Sequence, residues 1–154
     1  MKKNILLFTI TLSLFLQMGC KKAEDENMGE VNEPEIFSVE VAGEDKVIID
    51  RSENLSDFVV ELFGIDDAAT IIFNDTALVG VVMAYDKELT DDTKESIHSI
   101  VMEKDTAIKK VLVSDDEKTF NQIVNIINEL MNGSAYDNHV GEINKIINKI
   151  NKKY

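Results

Sequence analysis

The sequence has no tryptophan, one proline and one cysteine in 154 residues. A single cysteine excludes an intramolecular disulfide. Positive charge is scarce as well: 16 Lys and Arg stand against 29 Asp and Glu, a formal net charge of −13. Such a surface repels phosphate backbones, which excludes general nucleic-acid binding. No apolar run reaches the about 20 residues that a membrane-spanning helix needs. Catalytic signatures are missing too, with no Gly-rich phosphate loop, no Gly-x-Ser-x-Gly and no His-Glu-x-x-His in the chain. What is present is an apolar fraction of 44%, enough for the core of one compact domain with a tail.

The lone cysteine, Cys20, stands where an apolar stretch turns into a charged one. Lys2 and Lys3 begin the chain, "ILLFTITLSLFL" fills 5–16, and "QMGC" places Gly19 directly before Cys20. This resembles a bacterial lipoprotein signal, in which the cysteine receives a diacylglycerol and becomes the mature N-terminus. Gln17 occupies the position where such signals usually carry Leu, and Leu16 sits one place early. The expectation is a signal peptide over 1–19 and a lipidated Cys20. The alternatives are a plain secretory signal or an uncleaved N-terminal anchor. The two or three acyl chains of a lipoprotein hold stably, where one chain would not. From Cys20 to residue 45 the chain reads as an acidic tether, Glu-rich and carrying Pro34, kept extended by its like charges.

The pattern becomes regular in 46–154, the expected folded domain. "KVIID" (46–50) reads as a short strand or the end of the tether. "SENLSDFVVELFG" puts Leu55, Phe58, Val59, Leu62 and Phe63 at helical spacing, with Ser52 as N-cap and Gly64 as stop. "AATIIF" (68–73) and "TALVGVVMAY" (76–85) read as strands, and Asn74-Asp75 between them predicts a tight hairpin. Gly80 inside the second strand marks a bulge or a close helix contact. Thr90 caps a helix with Asp91 and Asp92 in its first turn, where the helix dipole favours anions. "AIKKVLVS" (107–114) reads as a third strand, and Ser114 with Glu117 fits a capping box. The helix it opens is expected to bury Phe120, Ile123, Val124, Ile127, Leu130 and Met131 and to stop at Asn132-Gly133. A last helix from about Asp137 carries Val140, Ile143, Ile146, Ile147 and Ile150. The order α-β-β-α-β-α-α predicts an α+β fold, a small three-stranded sheet with helices on one face. That topology is also like the BON-type and ring-building modules of secretion and sporulation channels.

Candidate chemistry is sparse. His98 and His139 lie far apart, and neither has partners at zinc-ligand spacing, so both read as structural or surface residues. The acidic clusters Asp66-Asp67, Asp91-Asp92 and Asp115-Asp116-Glu117 lack the alternate carboxylates, central Gly and late Glu of an EF-hand loop. No metal, cofactor or catalytic residue is expected. The one basic element is the last helix, where Lys145, Lys149 and Lys152 fall at i, i+4 and i+7 with Lys153 beside them. These lysines read either as a solvated face that complements the helix dipole or as a contact with anionic lipid or an acidic partner.

Several phrases resemble the YhcN/YlaJ family of sporulation lipoproteins of endospore-forming bacteria: the leader ending in Cys20, the acidic tether, "GIDDAATIIFNDTALVGVVM" (64–83) and "ELTDDTKESIHSIVMEKDTAIKKVLVSDDEKTFNQIVNII" (88–127). Gly64, Ile65, Ala68, Ala77, Val79, Gly80, Val81, Ile108, Val111, Val113, Ser114, Asp116 and Phe120 fall on the family's pattern. Asp75 departs from it, where the family tends to have Gly or Asn. The resemblance implies an exported lipoprotein of the spore or forespore envelope, linked with spore formation or germination, with no catalytic residues to carry over. The expected function is non-catalytic: the protein is held at the membrane through Cys20 and binds or scaffolds envelope or germination proteins. Homo-oligomeric assembly is the alternative, and an accessory cortex hydrolase stands behind it.

Overall fold

A computed structural model describes residues 43–153. The leader, Cys20 and the tether as far as residue 42 lie outside the described residues. The elements are α1 (Gly43–Val60), β1 (Ile65–Phe73), β2 (Thr76–Met83), α2 (Asp91–Lys104), β3 (Lys110–Ser114), α3 (Glu117–Met131), a 3-10 turn (Tyr136–His139) and α4 (Val140–Lys153). This is the expected α+β fold in the expected order. β1 pairs antiparallel with β2 through a two-residue turn that closes at Phe73 and Thr76. Asn74 takes the left-handed conformation there (φ 56°), which Asn tolerates better than most residues. α2 carries the chain over so that β3 pairs parallel with β2. β2 is therefore central, and β1 and β3 are the edges.

Both faces of the sheet are covered, which corrects the expectation of helices on one face only. Ala69, Ile71, Leu78 and Leu112 pack against Ile123, Ile126 and Leu130 of α3 and Ile143, Ile146 and Ile150 of α4. Ile72, Ala77, Val79, Val81 and Val113 pack against Leu55 and Val59 of α1 and Ile97 and Val101 of α2. The physical cause is visible in the strands. Residues of both parities are apolar, and a strand with two apolar faces must bury both.

α1 differs most from the sequence reading. It runs from Gly43 to Val60, so 46–50 is neither strand nor tether, and the helix takes in the last residues assigned to the tether. Ser52 is not an N-cap but a buried mid-helix residue. Its Oγ accepts the Ile72 N–H of β1 (3.3 Å). Ile49 joins the α3–α4 side of the core while Leu55 and Val59 join the other, so α1 crosses the outer edge of β1. Phe63 lies past the helix end and is 88% exposed, not part of the buried stripe. The chain turns into β1 through Gly64, at φ +89°.

Gly80 is a close helix contact, while the register irregularity lies in β1, between Ile65 and Asp67. A Cβ on Gly80 would stand 2.9 Å from the Phe120 Cα, so α3 lies almost directly on the backbone of β2. The start of α3 also differs in detail. Asp116 is the N-cap, with its carboxylate accepting the Thr119 N–H (2.8 Å). Ser114 Oγ accepts the Asp116 N–H (3.2 Å), so the serine orders the turn before the helix and does not form a capping box with Glu117. Thr90 caps α2 as expected, accepting the Thr93 N–H.

Candidate functional site

With both faces occupied, two grooves lie beside the edge strands of the sheet. The groove at β1 has a volume of about 420 Å³ and lies between Glu53, Ser56 and Asp57 of α1 and Val124, Ile127 and Met131 of α3, with Ala68–Thr70 between the walls. The groove at β3, about 290 Å³, is lined by Asp91, Glu95 and His98 of α2, by Val111–Val113, and by Ile150 and Asn151 of α4. Both open to solvent, as a surface for protein contact does and an enclosed substrate cavity does not.

An edge strand presents main-chain groups that native proteins usually cover. In β1 the cover is specific. The outward N–H of Ile72 is taken by Ser52, and its carbonyl accepts the Tyr136 hydroxyl (2.6 Å). The outward N–H of Ala68 is taken by the Asp67 carboxylate beside it (2.8 Å). Burial and the nearby Asp45 carboxylate push the Tyr136 phenol up to about 12, so it stays protonated and able to donate. Asp45 also accepts the Tyr136 N–H (3.1 Å), which ties the start of α1 to the 3-10 turn. Nothing in the sequence foretells these roles of Ser52 and Tyr136, because their partners are residues remote along the chain. The same holds for Arg51, the only arginine. It pairs with Asp105 (2.7 Å) across 54 positions and fastens α1 to the loop after α2.

The structure divides the predicted basic set. Lys149 is bound to Asp116 and Lys153 to Asp115 (3.0 Å), so these two lysines hold the end of α4 to the start of α3. Lys145 and Lys152 are exposed. The Lys149 ammonium, helped by the Thr119 hydroxyl and N–H, holds the Asp116 carboxyl at about 2, below its ordinary 3.8. Cys20 lies outside the described residues. His139 is buried and shares a hydrogen bond with Ser134 Oγ (2.9 Å), with Glu129 3.7 Å from its other ring nitrogen. His98 lines the β3 groove, and the two histidines do not meet. Among the described residues no three His, Cys, Asp or Glu side chains are grouped to hold a metal ion, and no helix is long and apolar enough to cross a membrane. The sequence reading did not foresee two exposed aromatics at one end of the hairpin, Phe63 and Tyr85, with the Lys87 ammonium 5.0 Å from the Phe63 ring centre.

A family model described as sporulation lipoprotein YhcN/YlaJ matches residues 22–151. No curated protein matches the chain.

Proposed function

The chain belongs to the YhcN/YlaJ family of sporulation lipoproteins, and from that premise we propose that it is a non-catalytic protein of the spore or forespore envelope that holds partner proteins at a membrane. Cys20 carries the acyl anchor, the stretch from there to the start of α1 at Gly43 serves as the tether, and the domain that follows supplies the binding surface. The observation that carries this reading is the pair of open grooves along the sheet edges, in a domain whose two sheet faces are spent on its own helices. An anchored domain confines a bound partner to the membrane plane and raises its effective concentration there. The partners are other envelope proteins, including those that act in germination. Lys145 and Lys152, both exposed on α4, contact acidic lipid or protein.

The test compares wild type with Cys20→Ala, expressed in an endospore-forming host, by intact mass and detergent partitioning. The expected result is added diacylglyceryl mass and entry into the detergent phase for wild type alone. Two aqueous forms of equal processing would overturn the anchored reading. Crosslinking from the membrane then identifies what the domain holds.

A further inference from the structure

Two aromatic side chains stand in water at one end of the sheet. Phe63 is 88% exposed and Tyr85 is 89% exposed. The main chain brings them to the same place. The Ala84 N–H donates to the Gly64 carbonyl (3.0 Å), so the residues next to each aromatic are paired. The Lys87 N–H donates to the Ala84 carbonyl (2.9 Å), and Asp86 takes a left-handed φ of 61°. That closes a turn over 84–87 with Tyr85 among its central residues. A phenylalanine has no polar atom to offer water, and exposed apolar groups gathered at one place mark a contact surface. The Lys87 ammonium lies 5.0 Å from the Phe63 ring centre, so the ring already takes a cation on its face.

The surroundings are acidic. Residues 60–67 and 82–92 hold seven carboxylates and one basic side chain, Lys87. Glu61, Asp86 and Glu88 are exposed and lie within a few positions of one aromatic or the other. A hollow of about 360 Å³ separates Leu62 and Phe63 from Asp92, Thr93 and Ser96 of α2, which sets an exposed carboxylate across from the ring. The partial positive charge of the α2 N-terminus is outweighed by Asp91 and Asp92 in its first turn. Aromatic faces beside carboxylates suit the cationic groups of Arg and Lys. They suit a bilayer poorly, because the same acids repel anionic lipid. The tether also joins at Gly43, the far end of the 18-residue α1, about 25 Å away. A second copy of this chain, at net −13, brings the wrong sign.

We infer that the Phe63–Tyr85 end of the domain docks a basic segment of a partner protein. An Arg or Lys of the segment lies on the Phe63 ring and pairs with Asp92 across the hollow. A second lies on Tyr85 beside Asp86. The Lys87 ammonium holds the Phe63 ring in the free protein and gives way to the partner's cation. Aromatic and arginine side chains carry much of the energy of protein contacts, and opposite charge speeds the encounter. The inference adds a contact surface to the partner-holding reading, beyond the two grooves, and rests on that reading.

The test uses the full chain, labelled with nitrogen-15, in neutral detergent micelles. The probe is a short synthetic peptide of alternating Arg and Gly, and the control replaces Arg with Glu. The expected result is that the Arg peptide shifts the amide signals of Phe63, Gly64 and Tyr85, while the Glu peptide shifts none of them. Phe63→Ala combined with Tyr85→Ala, both at exposed positions and with no change of net charge, is expected to weaken binding about tenfold. Lys87→Ala is expected to tighten it about twofold, because a competing cation leaves the ring. Absence of binding, shifts spread evenly over the acidic clusters, affinity unchanged by loss of both rings, or weaker binding after Lys87→Ala would each overturn the inference. The lipid alternative is read from the same chain in vesicles of phosphatidylcholine and phosphatidylglycerol with a spin label on the headgroups. Broadening of the Phe63 and Tyr85 signals there, without peptide, would assign the surface to the membrane and overturn the inference as well. Failure here is distinct from failure of the anchor: Cys20-dependent partitioning with no binding at Phe63 removes this surface and leaves the lipoprotein reading standing.

Discussion

Gly80 shows how much one absent side chain decides. Its missing Cβ lets α3 approach β2 so closely that a methyl group would stand 2.9 Å from the Phe120 Cα and 3.3 Å from its Cβ. A backbone atom cannot rotate away, so Gly80→Ala is expected to push α3 off the sheet and cost about 1–3 kcal/mol, read as a lower urea midpoint. Ser52 illustrates the opposite need, a polar atom inside a core. Its Oγ is the acceptor for the buried Ile72 N–H. Ser52→Ala leaves that donor unpaired, with an expected loss of about 1–3 kcal/mol. Faster hydrogen exchange at the Ile72 amide would separate this cause from a general loosening of the core.

At the scale of elements, the fastening of α4 to α3 carries a pH signature. Asp116 caps α3 through the Thr119 N–H and also binds Lys149 of α4. A carboxyl held at about 2 against an ordinary 3.8 stabilises the fold above the ordinary value and loses that effect as pH falls toward 2. Asp116→Ala removes a cap and an ion pair in one step. The group is partly solvated, so the expected deficit at neutral pH is modest, about 1–2 kcal/mol. Measured against wild type in denaturant melts, that deficit should stay constant above about pH 4 and shrink toward about pH 2. A deficit independent of pH over that range would mean that the ion pair and cap contribute nothing to the fold. Tyr136 has the opposite sign: its phenol is raised to about 12, so its hydrogen bond to Ile72 is at full strength below the ordinary 10 and is lost only as pH rises through 12.

Across the whole molecule, charge is the dominant feature. A net charge of −13 repels itself in the compact state. The ion pairs between exposed groups, such as Lys46 with Asp50, return little. Raising salt from about 0.01 to about 1 M shortens the screening length from about 30 to about 3 Å. The thermal midpoint is therefore expected to rise with salt in a calorimetric series, and a fall would mean that attractive pairs outweigh the acidic excess. The same charge bears on assembly. Two copies approach with like sign, and a partner-holding domain should keep a constant mass on dilution by light scattering. A mass that grows with concentration would favour the ring-building alternative.

The sequence by itself determined the element order, the hairpin at Asn74-Asp75, the cap at Thr90 and the family pattern. These depend on residues within a few positions of one another, where propensity, turn chemistry and hydrophobic period act directly. It left Gly80 as a bulge or a close helix contact, and the packing of α3 at Phe120 decided for the contact. It misread the start of α1 because Ser52 lies on the buried stripe between Ile49 and Leu55, and a hydroxyl in that position looks like a cap. The tertiary structure alone decided that both sheet faces are covered, that Arg51 reaches Asp105, that Lys149 and Lys153 are tied to α3, and that Ser52 meets the Ile72 N–H. Each of these joins groups distant along the chain. Local pattern carries no information about such pairs, because only the packing of two faces of one sheet brings them within reach.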